Sequence, residues 1–270
     1  MRLSDMLAEY DCCLLVHATY IQVDVLVVFD RSRSIFESTD ITGQHTGARD
    51  WQTMLEFFQH LVSSTSVSES QVNFALATFS EDARIHLSFN TSFNSTDIAS
   101  VAEFPACYPN CDTGSVWIPH TVVGGLNLAD GGMKFGFTNY GLVVDIVKNV
   151  YESPANGARS GAAPLVFLVT DGSMADQDDT IYSQNGCQVV NGLRCGYHAP
   201  RGASNAFEEG CKTCWRDNLA RRLQNVQVKD SIHVIGIGNQ LSTNNKPDGR
   251  TLSVFAQGDA NKIIGQYTDA

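Results

Sequence analysis

The amino-acid sequence predicts an α/β protein with a doubly wound, mostly parallel central sheet, one antiparallel edge strand and helices on both faces. Three observations carry this. Strand-like and helix-like segments alternate from residue 23 onward, the order expected of parallel strands joined by crossover helices. Leu165 to Thr170 and Ile232 to Ile237 are continuous apolar runs, as in strands covered on both faces. Trp51 to Val62 instead spaces Trp51, Met54, Leu55, Phe58 and Leu61 or Val62 along one helical face.

Taken in order, residues 1–20 read as an N-terminal extension and 21–268 as one domain. Val23 to Phe29 is a buried central strand, followed by the helix at Trp51 to Val62. Val72 to Phe79 alternates apolar residues as a second strand, and Arg84 to Leu87, across the Ser80-Glu81-Asp82 turn, is its antiparallel neighbour. Residues 88–118 are polar with Pro and Cys, allowing one helix near Thr96 to Ala102. Thr121 to Ala129 reads as a short helix before Gly131-Gly132, and Asn139 to Tyr151 as a longer one. Between the two apolar strands, a Cys-rich insertion at about 174–214 is too long for an ordinary connection. Trp215 to Val226 then supplies a crossover helix, and the tail offers a helix at Leu252 to Ala256 and a strand near Ile263.

Composition narrows the function classes. With 43% apolar residues the chain can bury a substantial core, and 18 Lys+Arg against 29 Asp+Glu give a net charge of −11. Such a charge repels phosphate backbones and anionic lipid, so nucleic acid is not an expected partner. The stretch Cys12 to Phe29 is broken by His17, Gln22 and Asp24 and does not read as a membrane span, nor do Asp5, Glu9 and Asp11 suit a secretory signal. Eight cysteines and the sequons at Asn90 and Asn94 favour an extracellular, disulfide-bonded glycoprotein, secreted or part of an ectodomain.

The chemistry concentrates after the first strand. Asp30-Arg31-Ser32-Arg33-Ser34 places a carboxylate and two hydroxyls on alternate positions of a turn, a DxSxS pattern. Ligand crevices of open parallel sheets lie at the carboxyl ends of the strands. Asp171 follows another strand and Thr138 opens a helix, so the three segments can converge there. These are hard oxygen donors suited to Mg²⁺, Mn²⁺ or Ca²⁺. With Asp30 and Asp171 as the anions, a divalent ion stays electrophilic enough to grip an outside carboxylate.

Four pieces, VDVLVVFDRSRSI at 23–35, FTNYGLVVDIV at 137–147, LVFLVTDGS at 165–173 and IHVIGIGN at 232–239, occur in an order that resembles the von Willebrand factor type A domain. This is the family of integrin inserted domains and many matrix proteins. The resemblance implies a Rossmann-like fold and a metal-ion-dependent adhesion site. Its metal ligands, directly or through water, would be Asp30, Ser32, Ser34, Thr138 and Asp171. It further implies a non-enzymatic, Mg²⁺-dependent cell-adhesion or matrix module whose protein partner presents Asp or Glu, with Arg31, Arg33 and Ser173 flanking the ion. The sequence departs from the family's pattern at Arg33, usually a small residue, and lacks a second threonine near Thr138.

Other readings stand beside this one. A structural matrix component with a vestigial site is one alternative. A Mg²⁺-dependent phosphatase is another, although Ser32 stands where such enzymes carry a second aspartate. Cys211-Lys212-Thr213-Cys214 reads as disulfide-forming, with a zinc half-site shared with Cys195 or His198 as the competing reading and the connectivity open. Asp176, Asp178 and Asp179 read as a solvated acidic loop, and His233 as a structural residue within a strand.

Overall fold

Val23–Asp30 (β1) lies at the heart of the sheet because seven of its eight residues are buried and both of its edges are paired. The fold is that of a computed structural model, which describes residues 21–32, 47–68, 70–80, 82–90, 122–123, 126–127, 138–170, 186–187, 189–190, 193–195, 205–237 and 249–267. β1 runs parallel to Val72–Phe79 (β2) on one side and to Ala163–Thr170 (β6) on the other. Beyond β2, Ala83–Leu87 (β3) is the antiparallel edge. Beyond β6 come the parallel strands Ile232–Ile237 (β9) and Ile263–Tyr267 (β10), giving the order β10-β9-β6-β1-β2-β3.

Strand alternation sorts the core into two layers. Val25, Val27 and Phe29 of β1 pack with Phe74 and Leu76 of β2 against Met54, Leu55 and Phe58 of the helix Gly47–Ser63 (α1). Leu26 and Val28 face the other way, onto the helices Gly141–Glu152 (α2), Asn205–Gln224 (α3) and Gly249–Phe255 (α4). The sheet is therefore covered on both faces, as the apolar runs predict. His233 of β9 is half-buried with its ring 6.0 Å from that of Phe167, a packing role.

At the amino ends of the strands an ion pair between part-buried Arg159 and buried Asp24 locks β1. Arg159 donates from its backbone N and its Nε to the two carboxylate oxygens of Asp24, at 2.7 and 2.8 Å. Its Nη2 donates to the carbonyls of Val23 and Gln71, at 2.7 and 3.1 Å. The Tyr151 hydroxyl adds contacts of 2.7 and 3.0 Å to the carbonyls of Asp24 and Leu165.

Two expectations are corrected. The short helix at Thr121 to Ala129 is replaced by a hairpin of Val122–Val123 (β4) and Leu126–Asn127 (β5). The Gly124-Gly125 pair between the apolar residues Val123 and Leu126 is a hairpin signal, which outweighs the helical reading. The crossover helix starts at Asn205 rather than Trp215, so Cys211 and Cys214 lie on α3 and not in a loop. Phe207, Cys211, Trp215 and Leu219 recur at four-residue steps on its packed side. Counting the cysteines as loop punctuation, not as apolar residues, hides that period. The helix expected at Thr96 to Ala102 lies outside the described residues.

Disulfides Cys187–Cys214 and Cys195–Cys211 staple the hairpin Val189–Val190 (β7) and Leu193–Arg194 (β8) to α3. Both thiols of the CxxC pair, and Cys195 with them, are thereby consumed, which overturns the zinc half-site and bears out the disulfide reading.

Candidate metal centre

The turn after β1 is built by the strand's own ladder. The Arg31 backbone N donates to the Phe79 carbonyl at 2.9 Å, carrying the pairing with β2 one residue past Asp30. The chain then curls as the Ser32 backbone N donates to Asp30 Oδ1 at 2.8 Å, an Asx-type turn. Asp30 Oδ2 accepts from the Thr170 hydroxyl at 2.6 Å, fastening this turn to the end of β6. Asp30 is fully buried and Ser32 nearly so.

The second segment reaches the same edge through the β2–β3 turn. The Asn139 backbone N donates to the Ser80 carbonyl at 3.1 Å, and Asn139 Oδ1 accepts from Gly141 N at 3.1 Å at the start of α2. Thr138 precedes Asn139 and is 3% exposed. Tyr140, also buried, brings its hydroxyl to 2.8 Å from Thr170 Oγ1. The segments that carry Asp30 and Ser32, Thr138, and Thr170 thus meet at the carboxyl ends of β1, β2 and β6. Ser34, Arg33, Asp171 and Ser173 lie outside the described residues, as do Asp176, Asp178 and Asp179.

The donor set fits a hard divalent cation. Asp30 brings a carboxylate whose oxygens accept from Ser32 N and Thr170 Oγ1, and Ser32 and Thr138 bring hydroxyls, all hard oxygen ligands of the kind such ions take. Among the described residues no three His, Cys, Asp or Glu cluster as a conventional metal group. The candidate centre offers one described carboxylate, Asp30, with the hydroxyl residues Ser32 and Thr138.

Arg31 departs from its expected place at a partner surface. Alternation along β1 sends its side chain to the face opposite Asp30, where it is fully buried. Its Nε donates to Thr78 Oγ1 at 3.1 Å and its Nη2 pairs with Asp82, while Nη1 has no hydrogen-bond partner. Burial lowers its pKa, opposed by the charge of Asp82. Thr78 Oγ1 also lies 2.8 Å from His86 Nε2. Burial, and then the cations Arg31 and Arg84, push the His86 pKa down to about 4. Its burial is direct evidence against a direct partner contact by Arg31.

Sequence reasoning passed over Thr170 and Tyr140, assigning one to a strand and the other to a helix. The available signal was position: Thr170 immediately precedes Asp171, and Tyr140 follows Thr138 by two residues.

Residues 24–103 match the family model of the von Willebrand factor type A domain. No curated protein matches the sequence. Among solved structures, the chain is similar to proximal thread matrix protein 1 from the mussel byssus with a zinc-occupied MIDAS motif, at 19% identity and a TM-score of 0.51. That alignment covers 90% of this chain and 43% of the mussel chain. A second structure of the same mussel protein gives 19% identity and a TM-score of 0.52, over 93% of this chain and 44% of that one. Manganese-loaded TRAP protein of Plasmodium vivax follows at 17% identity and a TM-score of 0.48, over 88% of this chain and 63% of its own. The chain thus spans less than half the length of the mussel protein's structures.

Proposed function

We propose, from the match of residues 24–103 to the von Willebrand factor type A family model, that this chain is a non-enzymatic adhesion or matrix module that binds an acidic residue of a protein partner through a divalent cation. The ion is Mg²⁺, with Mn²⁺ or Ca²⁺ as substitutes, held directly or through water by Asp30, Ser32, Ser34, Thr138 and Asp171. The domain extends over 21–268, preceded by the extension 1–20 and interrupted by the insertion at about 174–214. Arg33 and Ser173 flank the ion at the partner surface.

The observation that carries this reading is the burial together of Asp30, Ser32 and Thr138 where three segments converge on the sheet's carboxyl edge. A bound divalent ion would supply a Lewis-acidic coordination position for a carboxylate from outside. The chain's own residues would fix the ligand geometry: the Asx-type turn presents Ser32, and the Asn139–Ser80 bond holds Thr138 in place. Two disulfides support an extracellular setting, since such bonds persist in oxidising compartments. Among the described residues no helix is long and apolar enough to cross a membrane. The fold likeness to a byssal matrix protein supports the matrix side of the reading.

Calorimetric titration of Mg²⁺ and Mn²⁺ into the oxidised chain tests the centre. The expected result is saturable one-site binding that is lost in Asp30→Ala. A parent chain that binds neither ion would sink the reading and leave a structural role. Hydrolysis of nitrophenyl phosphate above the metal-only background would instead favour the phosphatase alternative.

A further inference from the structure

We propose that Tyr140 and Thr170 are positioning residues for the metal centre, forming a buried one-way chain from Tyr140 Oη–H to Thr170 Oγ1–H to Asp30 Oδ2 that holds the Asp30 carboxylate in one rotamer. The inference rests on the metal-centre reading above and deepens it.

The direction of the chain follows from proton counting. A carboxylate accepts only, so the single hydroxyl hydrogen of Thr170 goes to Asp30 Oδ2 at 2.6 Å. Thr170 Oγ1 can then only accept from Tyr140, 2.8 Å away. Because the Ser32 backbone N holds Oδ1 at 2.8 Å, the carboxylate is pinned through both oxygens and cannot turn about its terminal torsion.

The far end of the chain is anchored by packing. All three side chains are fully buried. The Tyr140 ring lies 5.4 Å from that of Phe79 on β2, and 5.8 Å from each of Trp215 on α3 and Phe255 on α4. The hydroxyl is therefore placed by the core of the domain and not by solvent. A Phe and a Val would fill these positions without the cost of burying two hydroxyls, and the hydroxyls present lead to the Asp30 carboxylate. The chain also ties the three ligand-bearing segments together, since Thr170 adjoins Asp171 and Tyr140 lies two residues past Thr138.

Titration of Mn²⁺ into the oxidised chain and into Tyr140→Phe, Thr170→Val, Thr170→Ser and Asp30→Ala variants tests this. Removing partners that orient ligands weakens metal binding by roughly 10–100-fold, so Thr170→Val is expected to lose about 10-fold and Tyr140→Phe about 3-fold. Thr170→Ser, which keeps the hydroxyl, should restore affinity to within about 2-fold of the parent on the same grounds. Adding Tyr140→Phe to Thr170→Val should cost nothing more, because the chain is already cut. Thermal midpoints in chelator accompany each titration. Parent-like affinity in Tyr140→Phe and Thr170→Val, with binding lost in Asp30→Ala, would overturn the relay while leaving the metal centre standing. A Thr170→Ser variant as weak as Thr170→Val, with an equally lowered midpoint, would reduce both residues to core packing. A parent chain that binds no Mn²⁺ would overturn the metal centre and the relay together.

Discussion

Arg31 and Arg159, each facing a carboxylate, should respond to the same substitution in different ways. Arg31→Met and Arg159→Met each remove a guanidinium and keep an apolar stem, but they leave different partners behind. For Arg31, the losses are one hydrogen bond to Thr78, about 1 kcal/mol, and an ion pair with Asp82, about 0–1 kcal/mol because that side chain is 42% exposed and can rehydrate. A small cavity adds about 1 kcal/mol. Against these, the variant is relieved of the partnerless Nη1, worth about 1–3 kcal/mol, and of the desolvation that lowers the Arg31 pKa. The terms cancel to within about 1 kcal/mol. For Arg159, the carboxylate left behind is Asp24, only 2% exposed, which keeps just the backbone N of residue 159. Breaking such a buried pair from one side costs about 3–5 kcal/mol. Urea unfolding of the oxidised proteins, followed by circular dichroism and fluorescence to check that the transitions coincide, measures both. At a slope of about 3 kcal/mol per molar, the Arg159→Met midpoint falls by about 1 M or more while that of Arg31→Met barely moves. A loss of 3 kcal/mol or more in Arg31→Met would refute the reasoning, as would a neutral Arg159→Met.

Acid should act on His86. Its folded pKa of about 4 lies below the ordinary 6.5, so between these values the unfolded chain binds the extra proton and stability falls as pH drops, by about 3 kcal/mol across the window. Unfolding free energies at stepped pH should show this slope, and it should flatten in His86→Gln; an unchanged slope contradicts the assignment. Replacing both Cys195 and Cys211 by Ala opens a bridge spanning 16 residues and should cost about 3 kcal/mol, read by calorimetry as a lowered midpoint. An unaltered midpoint would mean that the staple does not constrain the unfolded chain.

The strands were the most legible part of the sequence because their signal is local. Val23 to Phe29, Val72 to Phe79 and Ile232 to Ile237 are bounded by turn residues and filled with β-branched or aromatic side chains, and each appears in the sheet. The start of α3 was illegible for a chemical reason. Cys211 and Cys214 act there as apolar residues on a helix face, a role that depends on partners at Cys195 and Cys187 which spacing cannot reveal. At the metal centre, the meeting of the segments that carry Asp30 and Thr138 with the end of β6 followed from the rule for parallel sheets. The inward turn of Arg31 was also implicit, since alternation along β1 already assigns it to the face opposite Asp30. What no local pattern could supply was the link among residues 30, 140 and 170, whose hydrogen bonds exist only once three distant segments have docked.

The central position of β1 also sets a schedule for the chain's birth. Val23 pairs with Val72 on one side but with Ala163, 140 residues later, on the other. At roughly 5–20 residues per second on the ribosome, one edge of this apolar strand waits on the order of 10–30 s for its neighbour. Non-local parallel pairing is slow to form in any case, and a waiting strand is an invitation to self-association. Asp24 and Asp30 bracket the run Val25 to Phe29 at both ends, where charged gatekeepers oppose stacking of like segments. In the newborn chain these two carboxylates guard against aggregation before one becomes a clamp for Arg159 and the other the pivot of the candidate metal turn.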